Sequence, residues 1–254
     1  MRARRIPLAF VAALLSSALI STRAQAIPLT TLVTTGGTIQ QGDKLFSNFE
    51  VPSLLVAIGN VTPVSYSGID VQGITVGGED GLRFSGPFSA VFAPSGSLAF
   101  VTYHFNFDVT VLDPSLLLHD VSHSYVVTHS GNGSPFQTRN VTATTDVRTC
   151  PELFCVDPSD FEVSLHSTIS PTTGLPLPSP TAINVSLVLP HDVSFLRVEN
   201  DVFLSAGSLL ETDPQSVSFP RIDVMVSQTA IPEPASLLLV GSGLTGLAWL
   251  RRRR

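Results

Sequence analysis

Val101-Thr102-Tyr103-His104-Phe105-Asn106-Phe107-Asp108-Val109-Thr110-Val111 alternates apolar and polar residues without a break. Successive side chains of a strand point to opposite faces, so a period of two predicts one buried face and one wet face. The same period returns in Phe161–His166, Ile183–Leu189 and Arg221–Val226. Further strand candidates are Leu29–Thr34, Leu54–Ile58, Phe88–Phe92, Tyr125–His129, Val141–Arg148 and Phe195–Leu204. Turn formers stand between these runs: Gly36-Gly37, Gly77-Gly78, Asp80-Gly81, Ser95-Gly96, Asp113-Pro114, Asn132-Gly133, Asp157-Pro158 and Asp213-Pro214. No stretch of the body shows a helical stripe, and Leu116–His119 holds one turn at most. About ten strands with regular turns predict an all-β fold, a two-sheet antiparallel sandwich of jelly-roll or immunoglobulin-like type. The proline-rich segment Pro171–Pro180 reads as a long loop within that sandwich.

Both ends of the chain differ from this body. At the C-terminus, Pro232-Glu233-Pro234 precedes an uncharged Leu- and Gly-rich run, Ala235–Leu250, and then Arg251, Arg252, Arg253 and Arg254. As a helix the run rises about 24 Å, a little short of the roughly 30 Å hydrocarbon core. Snorkelling arginines can cover that mismatch. Four arginines in a row do not cross a bilayer cheaply, so they form a cytoplasmic stop and the body lies outside. At the N-terminus, Arg2, Arg4 and Arg5 precede an apolar stretch, Ile6–Ile20, and then Ala24-Gln25-Ala26. That order is a secretory signal with cleavage at Ala24 and Ala26, and ordinary export fits it better than the twin-arginine route. The expected organisation is a signal peptide over 1–26, a sandwich body over 27–230 and a sorting signal over 231–254.

The C-terminal constellation resembles the PEP-CTERM sorting signal of Gram-negative bacteria, a tail also catalogued as an ice-binding protein C-terminal domain, a label that does not imply ice binding. The resemblance implies processing near Pro232, Glu233 and Pro234 by an exosortase, a membrane cysteine protease. It further implies that Ala235–Leu250 is a transient membrane anchor, that Arg251–Arg254 is the stop, and that the freed protein goes to the cell surface or the exopolysaccharide matrix. It covers about a tenth of the chain and transfers an address rather than an activity.

The body carries six basic residues against nineteen acidic ones, a balance of −13. So acidic a surface argues against nucleic acid and against anionic membranes as partners. Cys150 and Cys155 stand close together, and in an exported protein a small disulfide loop is the expected state. Free thiols and a metal pair are the alternatives. His119, His123 and His129 cluster in sequence, but on a strand the first two stand about 13 Å apart, so solvated or hydrogen-bonded histidines are expected rather than a zinc site. His104 falls on the wet face of its strand. Gly77-Gly78-Glu79-Asp80-Gly81 reads as an acidic turn without the ligand spacing of a calcium loop. No G-x-S-x-G, H-E-x-x-H or P-loop occurs. No catalytic residue, metal or cofactor is assigned. The expected role is a structural or adhesive component associated with exopolysaccharide. A carbohydrate-binding module and a secreted hydrolase are the alternatives.

Overall fold

The computed structural model describes residues 25–51, 56–58, 66–92, 99–130, 137–149, 161–169, 180–208 and 215–231. In chain order these form β1 (Ile27–Pro28), α1 (Leu29–Thr35), β2 (Ile39–Gln41), β3 (Lys44–Glu50), β4 (Val56–Ile58), β5 (Asp70–Val76) and β6 (Glu79–Phe92). There follow β7 (Ala99–Val111), β8 (Leu116–Ser130), β9 (Gln137–Arg148), β10 (Glu162–Ile169), β11 (Thr181–Val193), β12 (Phe195–Ser208) and β13 (Gln215–Ala230).

All pairings are antiparallel and make two sheets. The first has the order β1-β5-β6-β13-β8-β11. The second has the order β10-β9-β12-β7-β3-β2, with β4 also on β7. The last eight strands divide in a defined way. Counted from β6, the first, eighth, third and sixth lie side by side in one sheet, and the second, seventh, fourth and fifth in the other. That is the strand order of a jelly roll, two Greek keys folded face to face. The order decides between the two sandwich types expected, against the immunoglobulin-like one.

The inner faces meet through aromatic rings. Phe84 of β6 meets Phe105 of β7 at a tilt of 35° and 4.3 Å between centroids, and Phe88 meets Tyr103 edge-on at 5.1 Å. Val101, Tyr103, Phe105, Phe107 and Val109 are all fully buried as read, while Val111 is half-buried and Asp108, on the face expected to be wet, is buried beside Arg197. β13 shows where alternation alone misleads. Phe219 and Ile222 both point inward because the register shifts around Pro220 against β6 and β8. Proline has no N–H for the ladder and is tolerated inside a sheet at such a bulge.

Leu29–Thr34 is a helix and not the strand expected from its Thr and Val content. Leu29 and Leu32, three apart, bury one side. Gly36 (φ 63°) takes the left-handed conformation that closes the helix, and Gly37 N–H donates to the Leu32 carbonyl at 2.9 Å. Thr34 and Thr35 hydroxyls donate back to the Thr30 and Thr31 carbonyls, both at 2.8 Å. Asp80-Gly81 is likewise not a turn. The turn is Gly77-Gly78, both at positive φ, and Asp80 and Gly81 continue into β6. Leu116–His119 is strand, the start of β8.

The two ends of the sandwich differ. At one end lie the short connections Gly42-Asp43, Gly77-Gly78, Leu112–Ser115 and Ser194, together with the last residues of β13 and the strand ends that bracket 150–160. The strand ends that bracket 93–98, 131–136, 170–179 and 209–214 lie at the other. Among the described residues no helix is long and apolar enough to cross a membrane.

Candidate functional site

The end with the Gly42-Asp43 and Leu112–Ser115 turns brings together Asp43, Lys44, Asp80, His119 and Asp192. The turn Leu112–Ser115 is held by Asp113, whose carboxylate accepts from the Ser115 N–H at 2.9 Å and the Ser115 hydroxyl at 2.7 Å. Beside it β13 ends in Gln228 and Thr229, whose side chains go to different partners. Thr229 donates to Asp192 at 2.6 Å. Asp192 in turn accepts from His119 Nδ1 at 2.8 Å. The Thr229 hydroxyl first, then the His119 ring, hold the Asp192 carboxyl below its ordinary range. The Asp192 hydrogen bond raises the His119 imidazole. A depression of about 350 Å³ opens next to this pair, lined by Leu117, Thr149, Asp192, Val193, Ser194 and Phe195. Among the described residues no hydroxyl or thiol hydrogen-bonds to His119 other than through Asp192. The geometry is that of an imidazole oriented by a carboxylate.

Gln228 turns the other way. Its side-chain amide donates to Asp43 at 2.7 Å and its carbonyl oxygen accepts from Lys44 at 2.9 Å. Asp80 Oδ2 also lies 3.8 Å from the ammonium.

Deeper between the sheets a second polar group crosses the core. His123 of β8 is fully buried; its Nδ1 lies 2.9 Å from the Thr145 hydroxyl and its Nε2 2.7 Å from the Ser167 hydroxyl. Thr145 gives its own proton to Asn200 Oδ1 at 2.9 Å, so His123 Nδ1 must be the donor and Nε2 the acceptor. Tyr125 completes the chain at 2.8 Å from Ser167. Burial pushes the His123 imidazole down to about 4, with His166 as a lesser cause, so it is neutral at pH 7.

The outer face of the second sheet is laced with charge pairs. Arg197 meets Asp108 at 3.1 Å and also pairs with Glu50, while Arg148 pairs with Glu199. Asn48, held at φ 49° in a bulge of β3, donates to Asp108 at 2.6 Å. His104 is not merely on a wet face, since it pairs with Asp201 from β12. On the first sheet Arg83 binds Asp223 through two bonds of 2.7 Å.

The three clustered histidines are separated. His119 faces Asp192, His123 is interior, and His129 lies further along β8. Among the described residues no group of three or more His, Cys, Asp or Glu side chains could hold a metal ion. Ala26 is exposed, immediately before β1. Ala24, Cys150, Cys155, Pro232, Glu233, Pro234 and Arg251–Arg254 lie outside the described residues. The ends of the connection that carries both cysteines are described: Thr149 N–H donates to the Phe161 carbonyl at 3.3 Å. Sequence reasoning missed Lys44, Asp43 and Gln228 as a group, and the one signal that could have drawn notice is that Lys44 is the only lysine in the chain.

The last described residue, Ile231, donates its N–H to the Ser115 carbonyl at 2.8 Å. The chain therefore leaves the body at this same end, and the segment beyond Ile231 decides its address. Residues 230–254 match the family model of the PEP-CTERM protein-sorting motif. That motif marks a protein exported and processed by an exosortase at a membrane, where the tail serves as a transient anchor. No curated protein matches the chain. The PEP-CTERM tail thus begins beside Asp192, Gln228 and the depression.

Proposed function

We propose that the chain is a non-catalytic structural or adhesive component of the cell surface or extracellular matrix, associated with exopolysaccharide. The observation that carries this reading is the junction of a PEP-CTERM tail with an acidic jelly roll whose second sheet pairs Arg148 and Arg197 with acidic neighbours on its outer face. Paired charges make a flat, well-hydrated face suited to a matrix rich in sugar hydroxyls. Residues 1–26 act as a cleaved leader, Ala235–Leu250 as the transient anchor and Arg251–Arg254 as its stop. The pair Cys150 and Cys155 closes a small loop in the oxidising exterior.

The polysaccharide role is tested by retention of the released protein on the host's own exopolysaccharide, with and without EDTA. Saturable retention is expected. No retention under either condition overturns the matrix association, and retention abolished by EDTA places a cation at its centre. The sorting role is tested separately. Deleting Pro232–Pro234 is expected to leave the precursor in the membrane fraction, read by comparing the masses of released and cell-bound protein. Release of a form that still carries Arg251–Arg254 would overturn it.

A further inference from the structure

Lys44 is the only lysine in the chain, and its side chain is 2% exposed. Lysine is almost never fully buried, and a buried charge pair is on balance no more stable than apolar packing. The partners of Lys44 are therefore informative. Its Nζ lies 2.9 Å from Gln228 Oε1, on a strand of the other sheet. Asp43 spans both groups, with Oδ1 3.7 Å from the amine and Oδ2 accepting from the Gln228 amide nitrogen at 2.7 Å. Asp80 also lies 3.8 Å from the amine through Oδ2. Its second oxygen is fixed by the Thr75 hydroxyl at 2.5 Å. The turn leaves room for it, because a Cβ on Gly42 would come within 2.0 Å of Asp80 Oδ2.

We propose that Lys44 and Gln228 join in an intramolecular isopeptide bond, with Asp43 as the proton carrier. The ammonium gives one proton to Asp43, and the freed Nζ attacks Gln228 Cδ. The new C–N bond forms as the Cδ–Nε2 bond breaks. Asp43 returns a proton to the departing nitrogen, which leaves as ammonia. The second amine proton goes to solvent and then to ammonia. The sum is ammonium side chain plus carboxamide giving a secondary amide plus ammonium ion, with no oxidant or other reactant. Reacting groups held in a near-attack arrangement behave as if at very high concentration, and Nζ is fixed 2.9 Å from the oxygen on the carbon it would attack. The bond would tie β3 of one sheet to β13 of the other just before the chain departs into its tail. It does not depend on the polysaccharide reading.

The test is the mass and peptide map of the released protein, digested after full denaturation. A branched peptide joining the segments around Lys44 and Gln228, about 17 Da lighter than their sum, is expected. Trypsin should fail to cut after Lys44. Separate, unmodified peptides overturn the proposal. A loss of about 18 Da, with Lys44 joined to Asp80 or Asp43, overturns the assignment to Gln228. Asp43→Ala is expected to leave the two peptides separate, and a cross-link that persists in it removes Asp43 as the proton carrier. Because the wild-type map is read directly, a variant that fails to fold does not shield the idea.

Discussion

His123 sits where a charge has no solvent and no carboxylate to receive it. Its unfolded imidazole takes a proton near 6.5, and the folded one only near 4. Between those values the unfolded chain binds a proton that the folded chain does not, so stability falls as pH drops through that window. The loss approaches about 3 kcal/mol once pH is below the folded value. Denaturant titrations at a series of pH values should show this acid limb, and His123→Ala should flatten it. That variant should also cost about 3 kcal/mol at pH 7, because it empties a buried site and takes one partner from each of the Thr145 and Ser167 hydroxyls. His119 behaves in the opposite sense. Its folded pKa is raised by Asp192, so its contribution is present at low pH and fades as pH rises through the folded value. Proton NMR titration should place the His119 midpoint above 6.5, and Asp192→Ala should return it toward that value. The sequence showed three histidines close together and nothing more. Which strand lies opposite each one is long-range information, and it decides that one is a core hydrogen-bond hub and another a surface pair.

Strands with an unbroken period of two were legible, because burial on one face writes directly into the sequence. β7 and β11 are the clearest cases. β5 and the first half of β6 were not legible. Asp70–Val76 contains Gly73, and Glu79–Gly86 contains Gly81, and both residues read locally as breakers. Gly81 is in fact demanded by packing, since a Cβ there would lie 2.2 Å from the Val224 carbonyl of β13. The real turn, Gly77-Gly78, has φ values of 64° and 92°. Such two-residue hairpins favour Asn then Gly. Gly77→Asn should therefore be neutral or slightly stabilising in thermal unfolding, while Gly78→Ala should cost about 1 kcal/mol or more. The helix α1 was misread because Thr and Val favour strands on average, and two buried leucines plus a glycine stop outweigh that preference here.

At the scale of the molecule, the sandwich was legible from strand number and turn spacing, but its jelly-roll order was not. Order depends on which strands pair across the chain, as Asp80 does with Val226. The candidate site shares that difficulty, since Asp43, Lys44 and Gln228 meet only once β3 and β13 are both in place. A chain ending before Gln215 should be aggregated or unfolded by size-exclusion chromatography and circular dichroism, whereas one ending at Ile231 should be monodisperse and β-rich. The reason is that β13 lies between β6 and β8, and without it two hydrophobic strands lose their shared partner. That placement also has a consequence in time. The strand that closes the sheet is the last part of the body to be synthesised. Under the proposed export it would also be the last to cross the membrane, so the growing chain would stay threadable until its end arrives. The tail beyond it would then hold a newly closed body at the bilayer, and the proposed release would come after the fold is complete.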